Sequence, residues 1–584
     1  MNAKTHKRFR RRISIIGAGF TLALALILAK SVQLQVMERS FLSGRAASNY
    51  KKVMVTQGKR GTIYDAAHRE MAVAVEVTAI GLHPAKVKKS AQVVNGLAKA
   101  VGISTNTLKS KLSSDAPFVW LERQATPKQI TAVTAVVKDH ALKGVVFEPA
   151  QGRYYPHKTL AGQVLGFTGI DSQGLEGVEF HHNAHLRGHE GKMTVLRDRM
   201  GRGFELEHQL TDETAGNNVI LTIDAHIQRI AEQALATTVQ EYDAKSGMAL
   251  VMDPKTGAIR AMALYPFFDP NTFGRYSRFH WRNRLITDTF EPGSTLKIFT
   301  AAAAIEARAV SDRSVYFCEN GRYHIGRIPI HDTHEYEWLT VSEIVKYSSN
   351  IGAAKILQTM GRDVFYRQLK KFGFGDLTGI DCPGEVDGRL VHYRLWRPID
   401  AANLAFGQGI AVTAMQLATA VAAIANDGLM MRPHIVQAVT APNGRLLQKT
   451  VAQPIRRAIS AGTARAIRQM MAGVVQEGGT GTRAAINGYA VGGKTGTAQK
   501  IGPDGRYSRS DFVSSFVGFA PFDVPKTVVL VVVDEPRKRH YGGTVAAPAF
   551  KKIAQDTLGY LNVPPSLPKP RLDAAKPLIK KARL

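Results

Sequence analysis

The 584-residue chain carries 77 Lys and Arg against 47 Asp and Glu, a net charge of +30, with 45% apolar residues and only two cysteines. That apolar share fills ordinary cores, and at roughly 150 residues per domain the length allows up to about four of them. Disordered, collagen-like and disulfide-scaffold classes are thereby excluded.

The chain opens on a basic arm, residues 1–12, holding Lys4, Lys7, Arg8, Arg10, Arg11 and Arg12 and no acid. Ile13–Ala29 is free of charge, and its apolar character continues past Lys30 to Val36. As a helix rising about 1.5 Å per residue, 13–36 reaches about 36 Å, enough to cross a bilayer core. A cleaved secretory signal would have a shorter apolar run and a small-x-small site, which Ala29-Lys30-Ser31 does not supply. The stretch reads as one uncleaved transmembrane anchor, with the basic arm keeping the N-terminus in the cytoplasm. Everything beyond it is expected on the periplasmic side of the inner membrane. There the positive charge meets lipid headgroups and wall polymers, and nucleic acid is not expected as a partner.

After the anchor, residues 37–60 read as a polar, basic stretch. The first domain, 37–216, mixes short strands such as Met71–Ile80, a helix over Pro127–Asp139 and Gly-rich turns between Gly162 and Gly177, without a catalytic constellation. A polar loop around Thr211–Asn218 closes it. The second domain, 217–561, begins with Val219–Ile223 and a helix from Asp224 to about Val239. Met248–Asp253 and Ala258–Leu264 then form a hairpin about Pro254-Lys255-Thr256-Gly257. Helices are expected over Ser294–Arg308, Val341–Tyr347, Ile351–Met360 and Met415–Ala425, and strands return at Phe512–Ala520 and Thr527–Asp534. The pattern gives an α/β (α+β) fold, a mixed sheet built from the two ends of the domain around a helical middle. Residues 562–584, with five prolines and mostly basic charge, read as a disordered tail. Cys318 and Cys382 fit a disulfide or two buried thiols equally well.

Three short patterns follow one another: Ser294-Thr295-Leu296-Lys297, Ser348-Ser349-Asn350 and Lys494-Thr495-Gly496-Thr497. Each is weak alone, since Ser48–Lys51, Ser566–Lys569, Ser104–Asn106 and Lys255–Gly257 repeat them elsewhere. Context selects the first set. Ser294 follows the break Glu291-Pro292-Gly293 and opens an alanine-rich helix, where free N–H groups and the helix dipole favour negative charge. Lys297 falls on the same helical face. Ser348 and Asn350 stand at a helix junction, and Gly492-Gly493 before Lys494 lets a backbone or ligand approach the strand. By contrast, Lys255-Thr256-Gly257 sits in an ordinary turn. His331-Asp332-Thr333-His334 and His181-His182 lack a fuller ligand set, so neither metal nor other cofactor is expected.

These motifs resemble those of the penicillin-recognising serine enzymes. Ser-Ser-Asn in the middle position is similar to that of penicillin-binding proteins rather than β-lactamases. Further segments resemble class B penicillin-binding proteins: Arg60-Gly61-Thr62-Ile63-Tyr64-Asp65, Arg153-Tyr154-Tyr155-Pro156, Gly174-Leu175-Glu176-Gly177, Gly407-Gln408-Gly409 and Tyr541-Gly542-Gly543. The total length and the 54 residues from Ser294 to Ser348 look most like the division-specific septal type; the elongation-specific type, whose middle motif more often ends in an acid, is the alternative.

That resemblance implies a non-catalytic pedestal over 37–216 and, over 217–561, a transpeptidase domain with a mainly antiparallel sheet flanked by helices and a helical subdomain. It implies Ser294 as nucleophile on the D-Ala-D-Ala bond of a peptidoglycan stem peptide and Lys297 as its base. Lys297 must then be neutral, with a pKa lowered by burial and by Lys494. Ser348 would relay a proton, Asn350 hold a substrate amide, and Lys494 and Thr497, with Thr495 and Gly496 of the same motif, bind the terminal carboxylate. The N–H groups of Ser294 and Thr497 would form the oxyanion hole. Implied partners are a membrane-embedded glycan polymerase, other divisome proteins, and β-lactams as inhibitors. A carboxypeptidase or β-lactam hydrolase, a β-lactam sensor and a catalytically silent scaffold are the rival readings.

Overall fold

The computed structural model describes residues 3–197, 203–211, 214–502 and 504–566. The chain forms two compact units, Met1–Lys59 with Gly188–Ala215, and Arg60–Arg187 with Gly216–Leu584.

In the first unit, helix Ala3–Val32 continues through a π turn at Gln33–Met37. The most apolar 18 residues within its span Lys7–Met37 have a mean hydropathy of 2.1, with Phe20, Leu24, Ile27 and Leu28 all exposed. A helix apolar on every side and buried by no protein has the character of a lipid-facing span. The polar stretch expected at 37–60 is more ordered than composition suggests. It contains helix Arg39–Tyr50 and strand Lys51–Gln57, which pairs antiparallel with Glu190–Arg197, itself paired with Gly203–Thr211.

In the second unit, residues 60–187 build around strand Glu70–Leu82, two residues longer than expected at its C-terminal end. It pairs with Val119–Ala125 and Val145–Tyr154. Helix Pro127–Asp139 has its expected bounds for a local reason: Thr126 and Gln129 form a reciprocal cap, and Pro127 occupies the first turn. Two of the segments that carry the family resemblance meet in one ionic knot with a residue just beyond a third. Glu179, fully buried, accepts from Arg60 Nε at 2.7 Å, Arg153 Nε at 2.6 Å and the Tyr155 hydroxyl at 3.3 Å.

The elements framing the cleft are numbered from α1 (Ala225–Glu241), β1 (Ser246–Met252), β2 (Ile259–Tyr265), α2 (Lys297–Glu306), α3 (Val341–Tyr347) and α4 (Asn350–Met360). They continue with α5 (Ala414–Ala425), β3 (Gly492–Ile501), β4 (Tyr507–Ala520), β5 (Thr527–Asp534) and α6 (Gly542–Tyr560). The five-stranded sheet runs β2-β1-β5-β4-β3, and each neighbouring pair is antiparallel, so the sheet is not mixed. On β5, Val529, Val531 and Val533 face α1 and α6, whereas Val528, Leu530 and Val532 face the helical middle. Two covered faces explain why this strand reads as an unbroken apolar run. Strand β3 lies at the sheet edge.

Two expectations change at the periphery. The tail begins later than residue 562: the Val563 carbonyl accepts from the Tyr489 hydroxyl at 2.6 Å, and Ser566 Oγ accepts from the Ala490 N–H at 3.0 Å. The rest of the expected tail, 567–584, lies outside the described residues. Cys318 and Cys382 are both buried free thiols.

Candidate active site

Ser294 sits in a tight 3-10 turn, Gly293–Leu296, that feeds directly into α2, rather than in the first α-helical turn itself. Gly293 has φ +54° and donates its N–H to the Gly407 carbonyl at 3.1 Å. A Cβ on Gly407 would lie 2.0 Å from the Gly293 carbonyl oxygen, so this approach of two backbones requires glycine. The Gly407-Gln408-Gly409 segment thus supports the serine turn.

Lys297 is buried, and its Nζ lies 3.0 Å from Ser294 Oγ, 3.1 Å from Ser348 Oγ and 2.7 Å from Asn350 Oδ1, with a further bond to the Ser348 carbonyl. Burial lowers its pKa from 10.5 to about 7, and the Asp332 carboxylate works against that shift. Lys494, also buried, is held well below the ordinary lysine value by desolvation first and by the Lys297 charge second. This reverses part of the expectation. Burial is the cause that lowers Lys297, and the repulsion between the two lysines is felt at Lys494.

Ser348 ends α3 in the left-handed region, φ +66° and ψ 39°, a conformation that disfavours a side chain by about 1–2 kcal/mol. The turn aims its Oγ between the two lysines, 3.1 Å from each Nζ. Ser349 takes the capping role, accepting from the Gly352 N–H at 2.9 Å, which frees Ser348 and Asn350 to face the cleft. Asn350 is fixed at both ends of its carboxamide, accepting from Lys297 and donating Nδ2 to the His331 carbonyl at 2.8 Å.

Asp332 is the residue that sequence reasoning passed over, dismissed with its flanking histidines as a poor metal site. Its carboxylate accepts from Ser349 Oγ at 2.5 Å, from the Ile351 N–H at 3.1 Å and from the Asn350 N–H. It therefore anchors the start of α4 and is the acid that acts on Lys297. An acid preceding the Ser-Ser-Asn junction was the available signal, but only the fold brings the two together.

On β3, Lys494 Nζ donates to Ser348 Oγ, Thr495 Oγ1 lies 3.0 Å from Thr480 Oγ1, and Thr497 Oγ1 accepts from the Gly542 N–H at 3.0 Å. Gly496 is necessary because a Cβ there would lie 2.2 Å from Ser515 Oγ and 2.9 Å from the Pro292 carbonyl oxygen. Gly492 and Gly493 have a different purpose from the one expected. They admit the rings of Phe519 and Phe516, whose carbons lie 2.5 and 2.4 Å from where a Cβ would stand.

The elements enclose an open cleft of about 830 Å³ lined by Ser294, Ser348, Asn350, Thr495 and Thr497, with Phe512 stacked on His540 at 4.2 Å along the rim. Both lysines contact the cleft serines while remaining buried. All eight residues singled out in the three motifs converge here, whereas Ser104 merely caps a helix and Lys255 lies in the expected turn, its N–H bonded to Asp253.

Residues 247–555 match the penicillin binding protein transpeptidase domain, and residues 55–221 match the penicillin-binding protein dimerisation domain. The chain is a class B penicillin-binding protein. This penicillin-binding protein is 34% identical over 565 residues to the probable peptidoglycan D,D-transpeptidase PenA of Neisseria gonorrhoeae, covering 95% of this chain and 94% of the relative. It is 33% identical over 562 residues to the peptidoglycan D,D-transpeptidase FtsI of Escherichia coli K12, covering 95% and 92%. Among solved structures it resembles penicillin binding protein 3 of Mycobacterium tuberculosis complexed with aztreonam, with TM-score 0.69, 29% identity, and 88% and 99% coverage. The family and the mainly antiparallel sheet agree with the resemblance drawn from the motifs.

Proposed function

We propose that this penicillin-binding protein, a peptidoglycan D,D-transpeptidase of the FtsI type, cross-links stem peptides through Ser294 during septal wall synthesis. The observation that carries the reading is the contact between Ser294 Oγ and a buried Lys297 whose pKa stands near neutrality, with Ser348 bridging to Lys494. Neutral Lys297 accepts the Ser294 proton as Oγ attacks the carbonyl between two D-alanines. The oxyanion faces the N–H groups of Ser294 and Thr497, where losing one such donor typically costs about 2.7–4 kcal/mol of barrier. Ser348, within reach of both lysines, passes a proton to the departing D-alanine amine. Thr495 and Thr497 receive the terminal carboxylate, whose charge favours the protonated form of Lys494. The amine of a second stem then attacks the acyl-enzyme, releasing Ser294 and forming the cross-link. A β-lactam enters by the same first step.

The proposed layout keeps residues 1–12 in the cytoplasm and 13–36 in the inner membrane, with the pedestal (37–216) and the transpeptidase domain (217–561) in the periplasm. Its partners are a membrane-embedded glycan polymerase and other divisome proteins. The test is to incubate the full-length protein and its Ser294→Ala variant with a fluorescent penicillin and follow the label for hours. Stable labelling of the parent alone is expected; rapid loss would indicate a hydrolase, and an unlabelled but folded parent would indicate a scaffold. A fluorescent fusion should concentrate at the septum, while a side-wall pattern would favour the elongation type.

A further inference from the structure

Residues 315–317 and 338–340 form a two-stranded antiparallel sheet in which Val315 faces Thr340, Tyr316 faces Leu339 and Phe317 faces Trp338. Directly opposed residues share a face, and alternate residues occupy opposite faces. One face turns inward: Leu339 is buried, and the Tyr316 hydroxyl donates to Thr359 Oγ1 of α4 at 2.9 Å. The other presents Val315, Phe317 and Trp338 side by side. Trp338 is 64% exposed and Val315 53%, and the Trp338 and Phe317 rings lie 5.1 Å apart.

Exposed Glu337 borders this apolar face beside Trp338, whereas Lys355 of α4 is largely buried beneath Phe317, its Nζ donating to the Phe317 carbonyl and to Glu319 Oε1, both at 2.6 Å. An apolar platform with hydrogen-bonding groups at its edge matches a pyranose ring, whose C–H face is apolar and whose hydroxyls and acetamido groups project sideways. Three side chains make a small platform, whereas a stable protein partner covers about 800 Å² on each side. The size therefore favours one or two sugar rings.

The platform is continuous with the cleft. Tyr347 lines the cleft, Tyr336 stacks on it at 5.7 Å with the rings 18° from parallel, and Trp338 follows two residues later. Leu339, Thr340 and α3 separate Trp338 from Ser348, so their backbones are at most about 23 Å apart. A stem of about five residues, extended, covers about 17 Å. An extended stem with its terminal bond at Ser294 therefore has a reach comparable to this separation.

Building on the transpeptidase reading, we propose that the Val315–Phe317–Trp338 face is a sugar subsite that stacks an amino-sugar ring of the glycan bearing the stem peptide held in the cleft. The subsite would favour stems already attached to glycan over free peptide.

The test uses full-length protein, Trp338→Ala and Trp338→Phe. Calorimetric titration with chitotetraose, a sugar without any stem, should show binding that Trp338→Ala weakens about tenfold and Trp338→Phe largely retains. Turnover of a glycan-borne stem should fall for Trp338→Ala through a raised KM, with a sugar-free stem processed as by the parent. Equal chitotetraose binding by parent and Trp338→Ala, or an equal loss on both stems, overturns the subsite. A loss seen only when the glycan polymerase is added also overturns it, assigning the face to a protein partner. Trp338-dependent chitotetraose binding in a parent that turns over no stem would sustain the subsite and refute the transpeptidase reading instead.

Discussion

Neutral Lys297 is the feature on which acylation should depend most visibly. An ordinary lysine, at pKa 10.5, is neutral in only about one molecule in three thousand at pH 7, whereas burial to about 7 leaves half of the molecules neutral. The difference is worth about 4 kcal/mol in the availability of the base. The second-order rate constant for acylation by a penicillin reports the free enzyme, so it should be level above about pH 8 and fall tenfold per unit below about pH 6. Stopped-flow acylation of the full-length protein from pH 5 to 9, with folding checked by circular dichroism at each pH, gives this profile. Asp332 opposes the shift, so Asp332→Asn should move the acid limb to lower pH. A profile flat through pH 7, or an Asp332→Asn limb displaced upward, would refute the assignment of Lys297 as the base.

Replacing Lys297 by Met should abolish penicillin labelling yet raise the melting temperature at pH 7. Because the folded lysine binds fewer protons than the unfolded one between about pH 7 and 10.5, the parent gains stability as pH rises through that window. The advantage of the variant should therefore shrink towards pH 10, and a lower melting temperature at pH 7 would count against the burial argument. Gly407→Ala should destabilise the protein by about 1–3 kcal/mol and cut labelling sharply, since its Cβ would strike the Gly293 carbonyl; normal labelling would show that the serine turn tolerates displacement. Glu179→Gln leaves two buried guanidiniums without their shared charge and should cost about 3–5 kcal/mol in urea unfolding. A cost below about 1 kcal/mol would mean that the arginines find other partners.

Local chemistry made much of this molecule legible. Helix Pro127–Asp139 and α3 have the bounds their residues dictate, because Thr126 and Thr340 each close a reciprocal cap with a residue three positions on. The first motif stood after a break and the third after a glycine pair, contexts their repeats lacked, and the second stood at a helix junction. What escaped depended on contacts distant in sequence. Asp332 reaches the start of α4 through a hairpin, so its neighbours His331 and His334 drew attention in its place. Gly492 and Gly493 looked like openings for a ligand, but the rings that fill them lie on β4. Likewise the union of Arg60, Arg153 and Glu179 spans 119 residues and has no local signature. The direction of the Lys297 shift followed from burial, whereas the acid that opposes it, Asp332, comes from a distant segment.

One consequence follows from the place of β3 at the margin of its sheet. The strand that carries Lys494 and Thr497 has β4 on one side and, among the described residues, no strand paired on the other, the geometry to which an extended chain adds as a further strand. Such a margin accepts any extended chain, including that of a second copy. Capping it would remove the hazard and the active site together. Mutual repulsion between copies of a +30 chain is a defence that leaves the margin open. If a stem peptide docks on that line, as the proposed function requires, the charge acts as a spacer that keeps a second copy away from it.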